Sequence, residues 1–111
     1  MKVQTECLFI IVNSGFTDVV MDAARKEGAG GGTILHAKGT GSVQNEKFFG
    51  VSITPDKEIV IILCKKEQSE KILLAVNQTA GLASAGNGIA FSLPVADYIG
   101  LNFENFKEIK K

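Results

Sequence analysis

Two short glycine-containing segments are the parts of this sequence best suited to bind a small anion. The first, Gly-Thr-Gly at 39–41, directly follows Lys38, and the second, Gly-Asn-Gly, occupies 86–88. Glycine-rich turns can point several backbone N–H groups at an anion, although glycine also serves simply to permit positive φ in a turn. The sequence predicts a ligand site that consists of Lys38, Gly39, Thr40, Gly41, Gly86, Asn87 and Gly88.

A metal centre or an enzyme active site has much less support. His36 is the only histidine, and Cys7 and Cys64 are the only cysteines. A single histidine without a carboxylate cluster is a poor start for a metal site, so we expect His36 to be structural or exposed. The cysteines fall on strands predicted to be neighbours, where the thiols could approach each other, but buried reduced thiols are the better expectation. Because no nucleophile, base and acid occur in a motif context, we predict a protein that is not an enzyme, with no catalytic and no metal-binding residues.

The apolar pattern predicts the strands and helices that must position these segments. Uninterrupted apolar runs are typical of strands covered on both faces, and apolar residues at helical spacing indicate helices with one buried face. Gly28 and Gly81 are suited to end the two helices, and Ser14 or Thr17 is suited to cap the first one. The strands are predicted at 7–12, 33–38, 58–64 and 89–95, and the helices at 16–27 and 67–80.

This order of elements predicts an α+β fold, a ferredoxin-like βαββαβ sandwich formed by residues 1–111 as a single domain. Right-handed crossovers and a central hairpin favour an antiparallel four-stranded sheet in the order 4-1-3-2, with both helices on one face. The long hairpin loop at about 41–58 and the turn at 86–88 then leave the same end of the sheet. Within the loop, the apolar pair Phe48 and Phe49 is either an anchor for a partner protein or a contact with a neighbouring subunit.

The apolar strands predict that the chain associates with copies of itself. Two helices can cover one face of the sheet, and an exposed second face would exceed the few hundred Å² of apolar surface normal for a monomer. The alternative is that the tail at 101–111 folds over this face through Leu101, Phe103 and Phe106.

Composition excludes several classes of function. Twelve Lys and Arg residues balance twelve Asp and Glu residues, so no overall charge attracts nucleic acid or a membrane surface. The apolar runs are too short to span a bilayer, and the N-terminus is unlike a signal peptide. We expect a cytoplasmic protein.

Several segments, in order along the chain, resemble the PII family of nitrogen regulatory proteins. Residues 7–41 are similar to the first half of that family, including Asp-Val-Val at 18–20 and the Lys-Gly-Thr-Gly approach to a long loop. Residues 86–91 (Gly-Asn-Gly-Ile-Ala-Phe) resemble the family's Gly-Asp-Gly-Lys-Ile-Phe turn, and residues 93–97 resemble the strand ending that follows it. The resemblance covers about residues 5–100.

This resemblance implies a homotrimer with ligand clefts between subunits. The loop at about 41–58 corresponds to the family's T-loop, which reaches into a partner protein and changes shape with ligand. The implied function is a signalling regulator that binds a small metabolite, with an adenine nucleotide as the candidate, and controls a transporter or metabolic enzyme in nitrogen or other metabolism.

The departures from the family pattern leave the ligand open. The T-loop is shorter and lacks a tyrosine, and Ser42 and Val43 replace an arginine and a glutamine. Leu82 and Ile89 stand near the positions of two lysines, and residues 98–101 lack a basic pair. A triphosphate needs cationic contacts, which Lys38, Lys47 and Lys57 could supply in part. A metal-binding or metal-tolerance trimer of similar fold, with His36 and the cysteines as ligands, remains the alternative.

Overall fold

The computed structural model describes residues 4–40, 47–48, 51–52, 56–82, 88–101 and 103. The predicted bounds of the second and fourth strands are confirmed, whereas the first and third strands extend further into polar residues that still pair in the ladder. The strands are β1 (Thr5–Asn13), β2 (Thr33–Lys38), β3 (Lys47–Phe48), β4 (Val51–Ser52), β5 (Asp56–Lys65) and β6 (Ile89–Val95), and the helices are α1 (Thr17–Lys26) and α2 (Lys66–Ala80).

The main sheet has four antiparallel strands in the order β2-β5-β1-β6, which confirms the predicted ferredoxin-like topology. The two longest strands, β1 and β5, occupy the centre, and β2 and β6 form the edges. The short strands β3 and β4 pair with each other as a separate hairpin. Both α1 and α2 follow a central strand and pack beside each other on one face of the sheet.

The core lies between this face and the helices. Alternate residues of β1 and β5 point to the helices because side chains alternate across a strand, and apolar residues at helical spacing meet them from α1 and α2. At about 25 cal/mol per Å² of apolar surface, this burial is the main stabilising contribution. The core side chains with no exposure are Leu8, Ile10, Val12, Val20, Ala24, Val60, Ile62, Ile72 and Val76.

The helix ends agree only in part with the sequence. Gly28 and Gly81 have positive φ values of 104° and 62°, as expected for residues that follow a helix. The prediction that Ser14 or Thr17 caps α1 is wrong, because the N-cap is Phe16 and no side chain bonds there. Instead, the turn before α1 is held from the sheet, since the Gly15 N–H donates to a carboxylate oxygen of Glu58.

The second face of the sheet is apolar and open. Cross-strand pairing puts its residues in rows, such as Phe91, Phe9 and Ile61, and the rings of Phe9 and Phe91 stack with centroids 5.4 Å apart. Phe91 is 40% exposed and Ile89 is 61% exposed. The apolar open face consists of Cys7, Phe9, Ile11, Leu35, Ile59, Ile61, Leu63, Ile89, Phe91 and Leu93.

The described part of the tail does not close this face. Phe103 lies near Lys65, whose Nζ is 6.0 Å from the ring centroid, and Lys65 is at the end of β5. Phe91 and Ile89, on the apolar open face, remain exposed to the extent given above. Phe106, the third residue in the alternative of a covering tail, is outside the described residues.

Candidate ligand-binding site

The polar end of the sheet gathers three segments around the base of the long loop. They are the turn between β1 and α1, the last residues of β2, and the first residues of β5. A shallow depression of about 290 Å³ lies among them. Its lining consists of Ser14, His36, Ala37, Lys38, Asp56 and Lys57.

Lys38 and Asp56 form an ion pair across the two strand ends from which the loop leaves. Lys38 Nζ donates to Asp56 Oδ1 at 2.8 Å, and both side chains are about two-thirds exposed. The hydrogen bond and charge of Lys38 lower the pKa of Asp56 from 3.8, with a smaller contribution from the charge of His36. Asp56 therefore stays ionised at neutral pH, and Lys38 faces a full negative charge within its own chain.

Glu58 connects the loop base to the turn before α1. Its side chain is 13% exposed, its Oε1 accepts the Gly15 N–H at 3.1 Å, and its Oε2 lies 3.4 Å from Nδ1 of His36. The His36 side chain is 83% exposed. His36 thus fits the exposed role that we expected, and it contacts a carboxylate rather than a group of metal ligands.

Lys57 and Gly39 pack together beside this connection. Lys57 Nζ donates to the side-chain oxygen of Asn13 at 2.8 Å, and its aliphatic stem passes so close to Gly39 that a Cβ there would lie 2.9 Å from Lys57 Cε. The Ser14 N–H also donates to the backbone carbonyl of Asp56 at 3.2 Å. The first residues of β5 are therefore bound to the end of β1 through both backbone and side chains.

We expect Glu58→Ala to destabilise the protein by about 1 kcal/mol, because a mostly buried acceptor is lost and the Gly15 N–H is left without it. The measurement is urea unfolding followed by circular dichroism. Asp56→Asn is the matched control and should leave the midpoint unchanged, since an exposed ion pair contributes little to stability. Equal destabilisation by both variants would contradict this assignment.

Gly88 is held against the backbone of the neighbouring central strand. Its N–H donates to the carbonyl of Leu82 at 2.7 Å, and a Cβ at this position would overlap the carbonyl oxygen of Ile11. Gly88 does not have a left-handed φ, in contrast to Gly28. Close approach of another backbone therefore accounts for glycine at this position.

Gly39 and Gly88, which belong to the two predicted halves of the site, do not lie together in a single subunit. Gly39 follows β2 and Gly88 precedes β6, so they lie at the same end of the sheet but at its opposite edges. Three strand spacings separate these edges, or roughly 14 Å. Lys38 and Thr40 are exposed beside Gly39. Gly41, Gly86, Asn87 and Phe49 lie outside the described residues, and Phe48 is described as the end of β3.

Sequence reasoning missed the acidic residues of this site. The sequence predicts Asp56 to lie in the long loop at about 41–58, whereas it is the first residue of β5 and lies opposite Lys38. His36 and Glu58 are likewise direct cross-strand partners. The sequence does contain a signal for these pairs. His36 and Lys38 are two residues apart on one strand, and Asp56 and Glu58 are two residues apart on the next. Opposite charges in such cross-strand positions attract.

The cysteines do not contribute to this site. Cys7 is opposite Leu63 and Cys64 is opposite Glu6, so the thiols point to different faces of the sheet and do not approach each other. Both are free, and burial raises the pKa of each, that of Cys64 to about 11. Cys64 is six residues along β5 from Glu58, or about 20 Å, and the described residues contain no cluster of three metal-binding side chains.

The fold and this polar end define a ferredoxin-like domain with a charged loop base. The sequence model of the nitrogen regulatory protein P-II family matches residues 6–104. The chain belongs to that family, whose members are regulatory signalling proteins. No curated protein matches the chain in sequence.

A similar solved structure is the GlnK–ATP complex from B. subtilis. It covers 86% of this chain and 88% of its own, with a TM-score of 0.67 and 14% sequence identity. At this identity the likeness shows the shared fold.

No helix formed by the described residues has the length and apolar content needed to cross a membrane.

Proposed function

We propose that this chain is a trimeric regulator that binds an adenine nucleotide in clefts between subunits and controls a partner protein through the loop at 41–58. The observation that carries this proposal is the separation of Gly39 and Gly88 at opposite edges of the same sheet end. Neighbouring subunits would bring the 39–41 edge of one chain beside the 86–88 edge of the next. Membership of the P-II family and the ATP bound to the similar GlnK support the nucleotide.

The apolar open face supports the trimer. Its ten apolar side chains form a surface that water contacts in a single subunit, and association would bury it. The loop base supports the regulatory part of the proposal, because the charged residues Lys38 and Asp56 are the last residue of β2 and the first residue of β5, the two strands that the loop joins. Phe48 and Phe49 are proposed to contact the partner, which would be a transporter or a metabolic enzyme.

Native mass spectrometry with ATP, ADP and AMP tests the nucleotide site. We expect a trimer that takes up as many as three molecules of at least one nucleotide. Lys38→Ala should weaken this uptake, whereas Lys71→Ala, which removes the same charge from the exposed surface of α2, should not. A trimer that binds none of the three would contradict the nucleotide, and equal weakening by both variants would contradict the location.

A further inference from the structure

We propose that Asp56 competes with an anionic ligand for Lys38, and that its displacement transmits ligand binding to the loop at 41–58. This inference rests on the proposed function, because it assumes that the Lys38 end of the sheet receives the ligand. The ion pair with its 2.8 Å contact joins the last residue of β2 to the first residue of β5. These two residues stand at the points where the loop leaves the sheet and returns to it.

The chemistry of the pair makes it replaceable. An ammonium group has three donors and no geometric preference for a carboxylate over a phosphate. Because both side chains are about two-thirds exposed, water screens their attraction and the pair is weak. A phosphate carrying more negative charge than Asp56 can therefore take its place. Until Asp56 moves, its carboxylate repels the same phosphate.

The neighbouring charged groups are held more firmly than this pair. Glu58 is mostly buried and bonded to Gly15, while Lys57 is bonded to Asn13 on β1. The backbone carbonyl of Asp56 is also fixed by Ser14. Displacement therefore moves the Asp56 side chain at the point where the loop returns to the sheet, while the backbone of β5 stays bonded to Ser14.

Such a coupling is reciprocal. If ligand binding breaks the pair, then a loop conformation that breaks the pair must raise ligand affinity by the same factor. A partner protein that holds the loop in this conformation would strengthen ligand binding, and one that keeps Asp56 on Lys38 would weaken it. The ion pair would thus couple ligand binding to the loop conformation in both directions.

The experiment is calorimetric titration of the full chain with ATP at low and at physiological salt. We expect Asp56→Asn to bind ATP about 3-fold more tightly than the unmodified protein at low salt, with a smaller gain at higher salt. Glu70→Gln removes the same charge from an exposed residue of α2, at the opposite end of the sheet, and should change affinity less than 2-fold, as a distant charge does in solvent.

A double-mutant cycle separates competition from simple repulsion. In the Lys38→Met background, the gain from Asp56→Asn should largely disappear if both act through the pair. A gain of the same size in both backgrounds, or equal or weaker binding by Asp56→Asn alone, would overturn the competition while leaving the nucleotide site intact. If neither the unmodified protein nor any variant binds ATP, both the proposed function and this inference fail.

Discussion

Replacing Phe91 with glutamate will convert the proposed trimer into monomers. Phe91 stacks on Phe9 in the middle of the apolar open face, and it is still 40% exposed in one subunit. An interface that uses this face must bury the new carboxylate, which costs several kcal/mol when it is unpaired. Symmetry repeats the substitution in every subunit, so the penalties add across the assembly. Native mass spectrometry and sedimentation velocity measure the result.

Two further variants make this result specific. Ile89→Glu changes the same face at a position that is 61% exposed and should also dissociate the protein. Leu74→Glu introduces the same charge on α2, where Leu74 is 55% exposed on the helical side of the molecule, and the trimer should persist. Circular dichroism establishes that each variant keeps its fold. A Phe91→Glu protein with the mass of the unmodified assembly would contradict the proposed interface.

The reactivity of the two cysteines provides an independent test of the same prediction. Cys7 lies on the apolar open face between Leu63 and Leu93, so assembly should shield it from a thiol reagent. Cys64 is 1% exposed on the other face and should react in neither state. Dissociation by Phe91→Glu should therefore accelerate labelling of Cys7 alone. Labelling of both thiols would show that the variant has unfolded.

Replacing Gly88 with alanine will destabilise the protein by about 3 kcal/mol, the range expected when a side chain is forced into a packed interior. The added methyl group overlaps the carbonyl oxygen of Ile11 and approaches the Cα of Val12, both in a central strand. Backbone atoms of a paired strand cannot move aside as a flexible side chain can. Thermal unfolding should show a midpoint lower by roughly 10 °C or more.

The control for this variant is Gly31→Ala. A Cβ added at Gly31 would meet no atom within 4 Å, and this glycine does not have a left-handed φ, so alanine there should leave the midpoint nearly unchanged. A similar midpoint for Gly88→Ala and Gly31→Ala would contradict the close approach. If the prediction holds, a Gly88 variant that no longer binds ligand has lost binding because its fold is destabilised. Contacts with the ligand must then be tested with variants of Lys38 and Asp56.

The elements of this fold could be predicted from sequence because their signals are local. The strand at 33–38 has one face with Ile34, His36 and Lys38, and β2 has these bounds and this alternation. The glycine at 81 ends α2 with a left-handed φ, as its place after an apolar helical pattern predicts. The fold class and the strand order could be predicted from these elements, because few topologies combine these connections with right-handed crossovers.

The contacts of the site could not be predicted in the same way, because they depend on register between strands that are distant in sequence. A shift of one residue exchanges the faces of a strand, and this register decides that Cys7 and Cys64 point to opposite sides. It also decides that Lys38 meets Asp56 and that His36 meets Glu58.

The sequence by itself determined the βαββαβ order, the two-faced apolar strands and the family resemblance. Each of these depends on periodicity and on residues near one another along the chain. The tertiary structure alone decided which carboxylate faces Lys38, why residue 88 is glycine, and that Gly39 and Gly88 lie at opposite edges of the sheet. These features arise from packing between strands far apart in the chain, where atoms meet only after the whole sheet has formed.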